Sequence, residues 1–225
     1  MNNPLVSVVL IVRNGERFLD FAIRSVLAQT YRPSELIVVD GHSIDHTAEI
    51  IQSYPEIRYL LQPDLGVSRA YNQGIEAARG DLVALMSHDD LWLPEKLTLQ
   101  TRALFESKAD YVVCKVHYFV EAGLSPPAGF RRELLEKDVP AFLAETLLAH
   151  KSLFDRVGKF DPRFSTAEDV DFYARANDLG AHSYVIQKVL VHKRLHDSNI
   201  SSLSQENDRN LLSLLRDSIH RKQGK

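Results

Sequence analysis

Four short apolar runs, separated by stretches with helical spacing, constrain the fold of this chain more than any other feature. They are residues 6–12 (VSVVLIV), 36–39 (LIVV), 57–61 (IRYLL) and 82–86 (LVALM). Runs this short and this apolar describe strands buried on both faces, as in parallel sheets. After the first, Phe18, Leu19, Ala22, Ile23, Val26 and Leu27 recur at helical intervals; after the second, so do Ala48, Ile51 and Tyr54. Residues 67–78 read as a third helix with Ala70, Ile75 and Ala78 inward. Asn14 and Asp45 stand where they can cap the first two helices, and Gly80 where it can stop the third. Strand and helix alternating over about 90 residues with short connections specify an α/β chain with a doubly wound, mostly parallel sheet.

The second half is less regular. Residues 97–105 read as helix, and 111–120 and 184–195 as strands. Residues 123–129 (GLSPPAG) read as a loop, and 133–149 as helix broken at Pro140. Residues 206–220 carry Leu211, Leu212, Leu214 and Leu215, the pattern of a terminal helix with an apolar side. We therefore expect a main domain over residues 1–203, with halves at 1–107 and 108–203, and a terminal helix and basic tail over 204–225.

Composition narrows the function. A net charge of −3 gives no nucleic-acid footprint. The single cysteine, Cys114, excludes an internal disulfide framework and any multi-cysteine metal site. No signal-peptide pattern opens the sequence, and no run approaches the roughly 18 apolar residues of a membrane span. The expectation is a cytoplasmic protein, with a peripheral membrane contact through the basic tail and a homodimer through the terminal helix left open.

Chemistry enters at residues 81–93 (DLVALMSHDDLWL), where the fourth apolar run stops at Ser87-His88-Asp89-Asp90. Open α/β sheets bind ligands at the carboxyl ends of their strands. Adjacent carboxylates repel and call for a cation or a set of donors. Hard oxygen ligands suit Mg²⁺ or Mn²⁺, and such an ion suits a diphosphate. The competing reading is an acidic turn before a helix with Pro94 at its first position. No G-x-G-x-x-G or G-x-x-x-x-G-K-[ST] is present, which disfavours dinucleotide oxidoreductases and P-loop enzymes. Residues 13–18 are not the glycine-rich loop of a sugar nucleotidyltransferase.

Several phrases, in order, resemble the family 2 glycosyltransferases: SVVLIVRNGERFLDFAIRSVLAQTY, ELIVVDGHSIDHT, QPDLGVSRAYNQGIEAARGDLVALMSHDDLWLPEKL, FDPRFSTAEDVDFYARANDLG and RLHDSNIS. The resemblance covers about residues 5–202. It implies the GT-A nucleotide-sugar-binding fold, Rossmann-like with flanking helices. It also implies metal-dependent, inverting transfer of a sugar from a nucleotide-diphosphate sugar to an acceptor hydroxyl, in polysaccharide or glycoconjugate synthesis. The donor implied is a UDP-sugar first, with GDP- or dTDP-sugars as alternatives. The acceptor is a saccharide, a lipid-linked sugar or a peptide.

By the same resemblance, Asp169 is the base that takes the acceptor proton, with Glu168 supporting it. Ser165-x-x-Glu168 is also a capping box, and the two roles are compatible. Asp90 would coordinate Mn²⁺ or Mg²⁺, with His196 as a further ligand, and Asp89 would meet the ribose or the metal's water shell. Arg194 would pair with the diphosphate. Val12, Arg13 and Asn14 would wall the base pocket, with Glu16, Asp64 and Arg69 near the nucleotide. Asp40 would accept a hydrogen bond from base or ribose. Two departures from the family pattern are Ser87, where a carboxylate is common, and Gly41, where a second aspartate is common. His88 is also unusual, and a solvent-facing side chain is one reading of it. The alternative is a non-catalytic relative that binds a nucleotide or sugar, or scaffolds a complex.

Overall fold

The structure, a computed structural model, describes residues 3–164, 166–197, 199, 213–214 and 216–218. The first half follows the alternation expected: β1 (Val6–Val12), α1 (Leu19–Leu27), β2 (Ser34–Asp40), α2 (Thr47–Gln52), β3 (Arg58–Leu61), α3 (Val67–Ala77) and β4 (Leu82–Ser87). These strands pair in parallel in the order β3-β2-β1-β4. Val6, Val8 and Leu10 of β1 enter the core beneath α1, and Val9 enters the core beneath α3. Successive side chains on a strand point to opposite faces, so a continuous apolar run is what a sheet covered on both sides requires.

Beyond β4 the chain continues as β5 (Leu91–Trp92), α4 (Lys96–Ser107), β6 (Tyr111–Val120), β7 (Val139–Pro140), β8 (Leu148–His150), α5 (Lys151–Val157), α6 (Glu168–Asp178) and β9 (Ser183–Leu195). The same sheet extends through β8, β6, β9 and β5, with β6 and β9 parallel and the other new pairings antiparallel. The β5–β9 pairing brings the Asp89-Asp90 turn against the end of β9.

Four expectations need correction. Residues 133–149 are not a helix. They form a 3₁₀ turn over Arg132–Glu136, then β7 against β6, a second 3₁₀ turn over Ala144–Thr146, and β8 between β4 and β6. Leu148 faces one core while Leu147 and Ala149 face the other, the two-residue period of a strand. Asn14 does not cap α1, which starts at Leu19. α3 ends at Ala77 with Ala78 already extended, so Gly80 is not its cap. A Cβ at Gly80 would lie 2.4 Å from the Leu5 carbonyl oxygen, which accounts for the glycine. Pro94 precedes rather than begins α4, whose first residue is Lys96.

Ser165 of the expected capping box lies outside the described residues. So does the expected terminal helix at 206–220, apart from residues 213–214 and 216–218, which are helical. Among the described residues, no helix is long and apolar enough to cross a membrane.

Candidate active site

The loops after β1 and β2 are laced together by their own polar groups. Asn14 donates its backbone N–H to Ser43 Oγ (2.8 Å) and accepts the Ile44 N–H on Oδ1 (3.0 Å). Glu16 donates its N–H to Asp45 Oδ2 (3.0 Å) and accepts the His46 N–H (3.2 Å). Gly15 N–H reaches Thr47 Oγ1 at 2.8 Å. Asn14 holds a left-handed backbone with φ 52°, which asparagine tolerates better than most residues. Asn14 and Glu16 thus build this rim, and Gly41 joins it through its N–H to the Val12 carbonyl at 2.8 Å.

Asp40 sits below the rim, 1% exposed. Its Oδ1 accepts from the Ser43 N–H and hydroxyl, and its Oδ2 from the Tyr59 hydroxyl at 2.9 Å. Across the loop, Gln62 donates its N–H to the Asp40 carbonyl and its side-chain amide to the Gly66 carbonyl. Asp64 and Arg69 are exposed near that turn, and Arg69 donates to the Leu65 carbonyl.

Asp89 and Asp90 have separate partners. Asp89 Oδ2 lies 3.0 Å from His196 Nε2 and accepts from Asn199 Nδ2 at 3.0 Å. Its Oδ1 accepts the Ser87 hydroxyl at 2.6 Å, so Ser87 is a donor to the acidic turn. Burial alone would raise the Asp89 carboxyl, but His196, His88, Lys193 and Ser87 outweigh it and hold its pKa well below the usual carboxylate range. Asp90 is fully buried. Its Oδ1 accepts the Arg194 N–H (2.9 Å), and its Oδ2 faces Lys193 Nζ (3.0 Å), which also lies 3.3 Å from Glu145 Oε1. Burial raises the Asp90 pKa against the pull of Lys193. Burial works against the charge on Lys193, yet Asp90 and Glu145 bring its pKa well above the ordinary value.

Two side chains are more enclosed than the sequence suggests. Arg194 is engaged within the protein. It is 4% exposed, donates Nε to the Asp89 carbonyl, is ion-paired with Glu121, and lies between the rings of Phe18 and Phe119. His88 does not face solvent. It is partly buried, and burial lowers its pKa. A Cβ at Gly15 would stand 2.8 Å from the His88 ring, so the glycine permits this approach. His88, His196 and the loop at residues 14–18 bound a cavity of about 520 Å³, within the range of small-molecule sites.

The structure also tests whether a divalent ion fits. Asp89 Oδ2 and His196 Nε2 stand 3.0 Å apart, close to the separation of about 3 Å between adjacent ligands of an octahedral ion with 2.0–2.1 Å bonds. A carboxylate suits Mn²⁺ or Mg²⁺, whereas an imidazole favours softer ions than Mg²⁺. The Asp90 oxygens already have a backbone donor and a lysine. Among the described residues, no group of three such ligands is assembled.

Glu168 and Asp169 open α6 and are half-buried. Burial, then the charge of Asp169, pushes the Glu168 pKa up to about 8. Burial, then Glu145, pushes Asp169 up to about 6. The helix is anchored from several sides. Asn72 of α3 bonds both the N–H (2.9 Å) and the carbonyl (2.8 Å) of Phe160, and Ser68 donates to the Phe164 carbonyl. Arg175 pairs with Asp171 at 2.7 Å and donates to the carbonyls of Val157, Gly158 and Lys159.

Phe18, Glu121, Glu145, Lys193 and Asn199 are absent from the site residues expected from sequence. Phe18 and Asn199 lie in two of the phrases quoted above; Lys193 lies on β9, Glu121 follows β6, and Glu145 lies in the turn before β8.

Comparison with known proteins agrees with this architecture. An uncharacterized glycosyltransferase of Rickettsia typhi is 32% identical over 217 residues, 89% of this chain and 67% of the relative. The mannosyltransferase PcManGT of Pyrobaculum calidifontis, solved with GDP-Man and Mn²⁺, has a TM-score of 0.76 at 18% identity, covering 98% of this chain and 65% of that one. TarS 1-349 of S. aureus, solved with UDP-GlcNAc, has a TM-score of 0.71 at 19% identity, covering 88% and 60%. The chain therefore spans about two thirds of the length of these proteins, and the two structures share its GT-A fold. The family described as Glycosyl transferase family 2 matches residues 7–160, and the chain belongs to that family.

Proposed function

We propose that this protein transfers a sugar, with inversion, from a nucleotide-diphosphate sugar to an acceptor hydroxyl. The observation that carries this reading is the pair of carboxylates opening α6, raised by burial, in a fold that also holds the Asp89–His196 pair. A base poised with a pKa near 6 suits proton removal near neutral pH. Asp169 takes the proton from the acceptor hydroxyl, its oxygen bonds to the anomeric carbon, and the bond from that carbon to the diphosphate breaks. Glu168 supports Asp169.

Asp89 and His196 would hold Mn²⁺ or Mg²⁺, which when bound supplies positive charge against the leaving diphosphate. This reading moves the metal from Asp90 to Asp89 and gives Asp90, with Lys193, the task of fixing the turn. The rim of Asn14 and Glu16, with Val12, Arg13 and Asp40 behind it, would receive base and ribose. Asp40 Oδ2, which accepts one bond from Tyr59, can accept a further one, and Asp64 and Arg69 flank this end. UDP, GDP and dTDP donors are the candidates, and the acceptor is a saccharide, lipid-linked sugar or peptide.

Calorimetric titration with UDP, GDP and dTDP, with and without Mn²⁺, tests this. One nucleotide should bind in a metal-dependent way, and Asp89→Ala should abolish that binding. Asp169→Asn should keep it while lowering transfer by about 10²–10⁴-fold. Unchanged transfer by both variants would overturn the assignments. Failure of the wild type to bind any of the three would favour a non-catalytic relative, the reading that Ser87 and Gly41 keep in play.

A further inference from the structure

Phe18 has two guanidinium groups close to its ring. Arg194 Cζ lies 4.5 Å from the ring centroid and Arg17 Cζ lies 4.7 Å from it. Their surroundings differ. Arg194 is buried and ion-paired with Glu121. Arg17 is exposed, and among the described residues it has neither a carboxylate partner nor a hydrogen-bond acceptor; its described contact is the ring of Phe18. It lines the same cavity as His88 and His196.

Two carboxylates also line that cavity, Glu16 and Asp45. Both are engaged by backbone donors: Glu16 accepts the His46 N–H, and Asp45 accepts the N–H groups of Glu16 and Thr47. Neither is paired with Arg17. Among the described residues this guanidinium has no counter-ion, and where it lines the 520 Å³ cavity it can take an anion. Stacking on Phe18 limits the orientations of the guanidinium plane, and so reduces the entropy lost when it forms a bidentate pair with a phosphate.

We propose that Arg17 binds the diphosphate of the nucleotide-sugar donor. This inference rests on the donor reading above, because the phosphates would lie between Arg17 and the Asp89–His196 pair. The ring of Phe18 joins the two ends of the site: it carries Arg17 and stands 5.0 Å, centroid to centroid, from the imidazole of His196.

The test is a calorimetric comparison of UDP with uridine and GDP with guanosine, in Mn²⁺, on wild type, Arg17→Ala and Arg17→Lys. Circular dichroism melting confirms that the variants fold. The wild type should bind one diphosphate more tightly than its nucleoside. Arg17→Ala should weaken that diphosphate by about 10–100-fold, as for loss of a charged hydrogen bond, and leave the nucleoside unchanged. Arg17→Lys should recover part of the loss. Equal diphosphate binding by wild type and Arg17→Ala, or equal weakening of diphosphate and nucleoside, would overturn the role of Arg17 while leaving the donor reading intact. Absence of diphosphate binding by the wild type would overturn the donor reading, and this inference with it.

Discussion

Adjacent aspartates at one strand end have opposite fates. Asp89 points to His196 and Asn199, and Asp90 to Lys193 and the backbone of Arg194. The residue scale also sets a pH dependence. A base works when deprotonated, and Asp169 loses its proton at about 6. The kcat/KM of transfer should therefore rise with pH through about 6 and level above it. Glu145 is the largest charge raising Asp169, so Glu145→Gln should move the midpoint to lower pH. A profile flat from pH 5 to 7, which a base of this kind does not produce, would remove Asp169 from that role. The Asp-Asp pair at a strand end was legible in sequence, but the partners of each carboxylate were not, because Lys193 and His196 lie more than a hundred residues away.

Single elements show where sequence pattern succeeds and where it yields. Apolar spacing identified α1, α3 and α4 within a few residues, since each covers one face of the sheet with side chains at helical intervals. Residues 133–149 have mixed spacing, and sheet pairing decided them: the free edges of β4 and β6 take Leu148–His150 as a strand between them. The placement of α6 rests on contacts invisible in its own sequence. Asn72→Ala removes both hydrogen bonds to Phe160 and should cost about 1–3 kcal/mol. Native-state hydrogen exchange should accelerate around Phe160 and the start of α6. Unaltered exchange and an unaltered denaturant midpoint would show that Asn72 does not anchor the helix.

At the scale of the molecule, a buried lysine lies away from the site. Lys96 is fully buried, its Nζ 3.7 Å from the Trp92 ring centroid and 2.7 Å from Gln100 Oε1. Burial lowers its pKa from 10.5 to about 8. A base with a depressed folded pKa is more readily charged in the unfolded chain, so stability should rise as pH climbs from about 8 towards 10.5. Lys96→Met should abolish that rise and add about 1–3 kcal/mol at pH 7. Urea unfolding at pH 7 and pH 10 measures both, and a variant with the wild-type pH slope would show that another group is responsible.

The residues alone determined the sheet-and-helix order of the first half, the acidic turn after β4 and the acidic start of α6. Each depends on local periodicity and on which side chains can end a buried strand. Tertiary structure decided how these groups are engaged. Arg194 meets Glu121, Phe18 and Phe119, Asp90 meets Lys193, and Arg17 lines the cavity. Charge neutralisation in a buried site depends on distance in space, and the pairing of β9 with β5 and β6 sets those distances.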